Sequence, residues 1–230
     1  TTLTFSPAPS SGTANIFVNY LGLAVGTVTH PATQGLTATT GTFSSGIAAD
    51  LTFLEGSDII TASAGTSNTR VGVNAGNSIV SGGNYNTVVG DEAGTAITTG
   101  DENTAIGSES LDALNTGQYN TAVGKGTLSA DTKGSQSTAV GTNALQTQNF
   151  TSDTNALNTA VGYYAGQAVT TGTNNTLIGG LAGDALTTAT DNVAVGHEAL
   201  TTSITGGDNV AIGGKSLKLN TASDNTAVGY

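Results

Sequence analysis

From residue 67 onward, one five-residue alternation of polar and apolar positions keeps returning: polar, β-branched, small, branched aliphatic, glycine. Ten copies open at Asn68, Asn86, Asn103, Asn120, Ser137, Asn158, Asn175, Asn192, Asn209 and Asn225. Successive copies lie 18, 17, 17, 17, 21, 17, 17, 17 and 16 residues apart, a regularity that marks an internal repeat. Alternation with period two predicts a short strand in each copy, with the second and fourth positions on one face and the third on the other.

The second position is Thr or Val throughout, and the fourth is Val or Ile, as at Val71, Val89 and Ile212. These two columns are expected to form the dry interior. The third position is Ala in seven of ten copies, with Arg70, Val88 and Leu177 as exceptions. A small residue there predicts a second packed face, since a strand apolar on both sides is normally covered on both. The fifth position is always Gly, from Gly72 to Gly229, as a sharp corner requires. Positions eight and nine read Ala-Gly or Ala-Leu, as in Ala75-Gly76 and Ala199-Leu200, with Ser or Thr sometimes in place of Ala. A polar turn follows, usually with Gly three residues before the next Asn. The expected unit is strand, Gly corner, short strand, Gly turn. Stacked units bring the Asn side chains into one column, which predicts an amide ladder. Nine steps of about 4.8 Å would make a rod of roughly 43 Å.

Composition supports a repeat over a globular core. The chain has 230 residues, of which 9 % are charged and 5 % aromatic, with 33 glycines. Aliphatic residues are frequent enough, and charge sparse enough, to argue against disorder. The net charge is −11, and Arg70, Lys125, Lys133, Lys215 and Lys218 are the only cations. Five scattered cations cannot neutralise a phosphate backbone, so nucleic acid is excluded as a partner, and anionic membrane surfaces are disfavoured. No apolar run approaches a membrane span, so no membrane insertion is expected. There is no Cys, hence no disulfide or thiolate metal site. A chain that starts at Thr1 and lacks Met is expected to be a processed or partial product.

The repeats Asn158-Thr-Ala-Val-Gly-Tyr163 and Asn225-Thr-Ala-Val-Gly-Tyr230 are similar to the Asn-Thr-Ala-Val-Gly-Tyr repeats of phage tail fibres. More loosely, the pattern resembles the head repeats of trimeric autotransporter adhesins, whose period is shorter than the 17 residues found here. The resemblance covers residues 67–230. It implies an all-β, left-handed parallel β-roll or β-solenoid of about ten coils, with three identical chains packed through their small-residue faces. The Ala column is the expected interface. The implied function is a structural segment of a virion tail fibre: a rigid trimeric spacer, non-enzymatic, and a candidate host-receptor surface for a glycan or protein. The alternative is a bacterial cell-surface adhesin head or an extracellular filament subunit. Phage-type relatives often end in a trimerisation chaperone, whereas this sequence stops mid-repeat at Tyr230.

Residues 1–66 read as a separate, extended β-rich attachment or shaft segment that docks on other tail or fibre components. Ser6 to Gly12 resembles a linker, and β-like runs follow at Ile16 to Val18, Leu36 to Thr40 and Leu51 to Leu54. Such a segment has too little apolar content to build its own core.

Catalytic constellations are wanting. His30 and His197 are isolated, and Asp91-Glu92, Asp101-Glu102 and Glu109 fall in turns without a walled cleft. The Gly-rich turns precede no helix that could hold phosphate. The residue before the Asn is Asp191, Asp208 and Asp224 in three consecutive copies, a column of carboxylates that Ca²⁺ could bridge, although one column supplies few of the oxygen ligands that ion takes. Hydrated, outward-splayed side chains are the simpler expectation. Candidate receptor contacts are the aromatics Tyr85, Tyr119, Tyr163 and Tyr164, together with Phe150 and Asp153 in the four-residue insertion between Gly141 and Gly162. For Phe150 the competing expectation is that it tucks back over an irregular coil or fills a groove between chains.

Overall fold

The computed structural model describes residues 64–230. The runs expected at Ile16 to Val18, Leu36 to Thr40 and Leu51 to Leu54, the Ser6 to Gly12 linker and His30 lie outside the described residues.

Ten three-residue strands, from Thr69–Val71 to Thr226–Val228, form one parallel sheet in chain order. Each pairs in register with its equivalent in the next coil: Thr104 opposite Thr121, Ala105 opposite Ala122, Ile106 opposite Val123. The ladder tolerates the insertion, since Thr138, Ala139 and Val140 still face Thr159, Ala160 and Val161. The fold is therefore a parallel β-solenoid. No helix occurs among the described residues, and none is long and apolar enough to cross a membrane.

The interior lies on the other side of the strand from the one the alternation suggested. Third-position residues Val88, Ala105, Ala122, Ala139, Ala160, Leu177, Ala194 and Ala211 are all fully buried in the chain's own core. Second- and fourth-position residues face outward. Ile106, Ile178 and Ile212 are 39 %, 39 % and 40 % exposed. The Ala column is thus not an interface between chains. The reason is one of space: the coil is filled from its opposite side by Leu111, Leu128, Leu145 and Leu200 at position nine and by Ile79, Ile97, Leu114 and Leu186 three residues later. Where position nine is Leu, little room remains for the strand's inward side chain and it is Ala; Val88 and Leu177 occur where position nine is Gly94 or Gly183. Both faces of the strand are apolar, and polarity alone could not orient it.

The second short strand is also absent. Positions six to eleven form consecutive turns closed by bonds such as Ile97 N–H to the Gly94 carbonyl (3.1 Å) and Leu114 N–H to Leu111 (3.2 Å). Positive φ breaks the extended run twice, at the seventh position (Glu109 58°, Tyr164 57°) and at the ninth (Leu111 51°, Gly183 58°). A third left-handed residue precedes every Asn: Tyr119 has φ 60° and Asp208 has φ 58°. Such conformations cost L-residues about 1 kcal/mol or more. The stack offsets this through repeated bonds between coils, as when Tyr119 N–H donates to the Asp101 carbonyl (3.1 Å).

The fifth-position glycines have φ between 124° and 143°. A Cβ on Gly107 would lie 2.6 Å from the Gly124 carbonyl carbon, so both conformation and coil spacing demand glycine. Beside this corner runs the amide ladder. Asn86 Oδ1 accepts the backbone N–H of Asn103 (2.9 Å) and its Nδ2–H (3.1 Å). Asn103 Nδ2 also donates to the Gly117 carbonyl (2.9 Å). From Asn68 to Asn209 the Asn side chains are almost wholly buried, and these bonds satisfy them.

Candidate functional site

The repeat departs from its period where Ser137 replaces Asn and the next copy is delayed to Asn158. Ser137 N–H still donates to Asn120 Oδ1 (3.0 Å), but a serine has no amide to pass the ladder on. Gln148 enters from the far side of the coil to fill the gap. Its Nε2 donates to Ser137 Oγ (3.1 Å), and its Oε1 accepts Asn158 Nδ2–H (2.8 Å). Gln148 occupies the column held elsewhere by Ile79, Ile97, Leu114, Val169 and Leu186.

The residue preceding Gln148 in that column is Asp131, a carboxylate only 1 % exposed. Gln148 Nε2 donates to Asp131 Oδ2 (2.6 Å), while Gly134 N–H (2.8 Å) and Phe150 N–H (3.2 Å) donate to Oδ1. Three donors compensate a charge that could not otherwise be buried. Sequence reasoning missed Asp131 and Gln148. The signal was present as two consecutive polar residues between Leu114 and Val169 in a column that is aliphatic from Ile79 to Leu186 on either side of them, but it has meaning only once that column is known to face inward.

Asp131 thereby seats the insertion. Phe150 is 6 % exposed, and its carbonyl accepts the Thr132 hydroxyl (2.8 Å). It is consequently not an exposed recognition aromatic; its ring is buried apart from the aliphatic core cluster, with its amide tied to Asp131. The loop beyond it is exposed at Thr151 to Asp153, then returns as Thr154–Asn155, which pairs in parallel with Gly134–Ser135 in a separate two-stranded sheet.

This side sheet walls a groove of about 490 Å³ lined by Thr99, Thr116, Gln118, Lys133, Ser135, Asp153 and Asn155. Asp153 is the one sequence candidate that lines it. Tyr119, 50 % exposed, directly follows Gln118; Tyr85, 59 % exposed, holds the equivalent position two coils earlier. Tyr163 and Tyr164 stand at a different corner, positions six and seven, with ring centroids 4.1 Å apart and planes inclined at 65°. The hydrogen bond to Tyr164 holds the exposed Tyr163 phenol above its ordinary pKa. The candidate aromatics therefore form two separate places rather than one site.

A smaller recess of about 290 Å³ is bounded by Leu181, Asp184, Glu198, Thr201 and Lys218. Lys218 Nζ pairs with Glu198 Oε2 at 2.5 Å, the only ion pair among the described residues, and this bond draws the Glu198 pKa down. Burial pushes the carboxyl of Asp184 up, and likewise that of Asp112, which holds the same position four coils earlier.

Asp191, Asp208 and Asp224 lie exposed on one turn column. Among the described residues no group of three or more His, Cys, Asp or Glu side chains comes together to hold a metal ion, so nothing joins this column into a calcium centre. His197 is exposed at a corner, as are Asp91, Glu92, Glu102 and Glu109.

No family model, curated protein or solved structure matches the chain.

Proposed function

We propose that residues 67–230 form the rigid, non-enzymatic shaft of a phage tail fibre, assembled as a homotrimer, which spaces and presents a host-contacting surface. The observation that carries the reading is the outward face of the ten-stranded sheet. On it, Thr or Val at position two and Val or Ile at position four repeat in register along the whole stack. Val71, Ile106, Val161, Ile178, Ile212 and Val228 are exposed there in a single row. A long aliphatic row is unusual on a free surface. Its period of about 4.8 Å is that of an identical face, so further copies of this chain are the occupant that can match it along its length. The similarity of the Asn-Thr-Ala-Val-Gly-Tyr copies to tail-fibre repeats supports the viral setting, and residues 1–66 would attach the shaft to its neighbours.

The test is the mass in solution, measured by analytical ultracentrifugation. Three times the 22.5 kDa chain mass is expected for the unaltered protein, and monomer for Ile106→Lys combined with Ile178→Lys. A monomeric wild type would refute the trimer. Antibody labelling of purified virions, viewed by electron microscopy, tests the tail location; labelling confined to bacterial cell surfaces would favour the adhesin reading instead.

A further inference from the structure

The groove beside the insertion combines features found nowhere else in the described residues. Thr99, Thr116 and Lys133 are equivalent positions of three successive coils and make one row. Gln118, Ser135 and Asn155 make a second row, with Ser135 and Asn155 held opposite one another by the side sheet. Successive members of each row are about one strand spacing apart, about 4.8 Å. Asp153 stands among them on the inserted loop.

Most of these groups are uncommitted. Among the described residues no hydrogen bond engages the side chains of Thr99, Gln118, Lys133 or Asn155. Ser135 Oγ accepts Gln118 N–H (3.0 Å), which leaves its own O–H to donate. Asp153 Oδ1 receives only a long contact from the Thr116 hydroxyl (3.5 Å). Lys133 is half-buried without an ion pair, in a chain whose net charge is −11. Hydroxyls, amides, one ammonium and one carboxylate thus present donors and acceptors in mixed order along a cleft. The lining has no large apolar side chain, unlike the usual pocket for a lipid or an apolar small molecule. A single cation excludes a phosphate backbone.

We infer that this groove binds an extended polysaccharide segment lying along the solenoid axis, one sugar unit per coil. The strand spacing is close to the length of a pyranose unit in an extended glycan. Vicinal hydroxyls would donate to Asp153 and to the Gln118 and Asn155 amide oxygens. Lys133 would donate to a ring or hydroxyl oxygen of a neutral glycan, or pair with the carboxylate of an acidic one. The assignment deepens the reading of the chain as a fibre with a host-contacting surface, and it places that contact where the repeat breaks.

The experiment is binding of the full chain to an array of neutral and uronate-containing oligosaccharides, followed by calorimetry with the strongest hexasaccharide of each kind. Binding is expected to fall at least about tenfold in Asp153→Ala and in Thr99→Arg, which fills the exposed end of the groove. In Lys133→Ala the loss is larger for the acidic glycan if that is the ligand, and similar for both kinds if the ligand is neutral. Thermal unfolding and solution mass should match the unaltered protein in all three variants, because none touches the core or the outer strand face. No binding to any glycan, or binding indifferent to all three substitutions, overturns the assignment. Solution mass separates that failure from failure of the fibre reading, since a trimer that binds no sugar refutes the groove alone.

Discussion

Leu177 fills the space that a side chain on Gly183 would need: a Cβ built there would lie 2.7 Å from Leu177 Cδ2. Gly166 in the preceding coil is in the same position, 2.7 Å from Leu177 Cδ1. Val88 stands likewise against Gly76 and Gly94. Where the strand offers Ala instead, position nine is usually Leu, as in Ala105 with Leu111 and Ala194 with Leu200. The core keeps its volume by trading one large residue between two sides of the coil.

The trade predicts compensation. Leu177→Ala should cost about 2–5 kcal/mol through the cavity it leaves. Gly183→Leu alone should cost about 1–3 kcal/mol through overpacking. The double variant should be more stable than the sum of the two, although short of wild type because Gly166 remains unmatched. A double-mutant cycle by thermal unfolding measures the coupling, and strict additivity would refute the trade.

The amide ladder predicts a rung-dependent loss. Asn103→Ala removes the acceptor for Asn120 N–H and Nδ2–H and leaves the Gly117 carbonyl without its donor. About 3 kcal/mol of stability should go, because buried groups stay unsatisfied. Hydrogen exchange should show the loss concentrated in the coils on either side.

Asp112 and Asp184 each bury one carboxylate oxygen without a hydrogen-bond partner. For Asp112 burial dominates, with Glu109 and Glu92 adding repulsion, and the folded pKa lies above the ordinary value of 3.8. The folded state then holds its proton to higher pH than the unfolded state. Stability falls as pH rises from 3.8 through the folded pKa, and the penalty persists above it. Asp112→Asn should therefore raise the melting temperature at pH 7 and flatten this acid-side slope. The gain should be about 0.5 kcal/mol or less, since solvent screens a partly exposed group. Melting curves from pH 3 to 8 decide it; a lower melting temperature at pH 7 would contradict the sign.

Leu157 holds the left-handed turn position before Asn158 with φ 52° while 51 % exposed. Asn takes this conformation more readily than Leu, as at Asn174 one coil on (φ 60°). Leu157→Asn should stabilise the chain by about 1 kcal/mol. Denaturant unfolding with an unchanged slope would register it.

The repeat, its parallel strands, the glycine corners and the amide ladder are local and periodic, so the residues of 67–230 determined them by themselves. An Asn every seventeenth residue has one way to stack, and the fifth-position Gly has a steric reason in each copy. What the tertiary structure alone decided is direction. Thr104, Ala105 and Ile106 are compatible with either face inward. Only the bulk of Leu111 and Leu114 across the coil makes Ala105 the inner residue and leaves Ile106 on the outer face. The same holds at the insertion. Phe150 reads as an exposed aromatic until Asp131, nineteen residues earlier, binds its amide at a place where the ring is covered. The groove exists because Thr154–Asn155 returns to Gly134–Ser135, a pairing between coils that neither stretch announces. Side-chain polarity could mark which positions matter, but the volume inside the coil set which way they point.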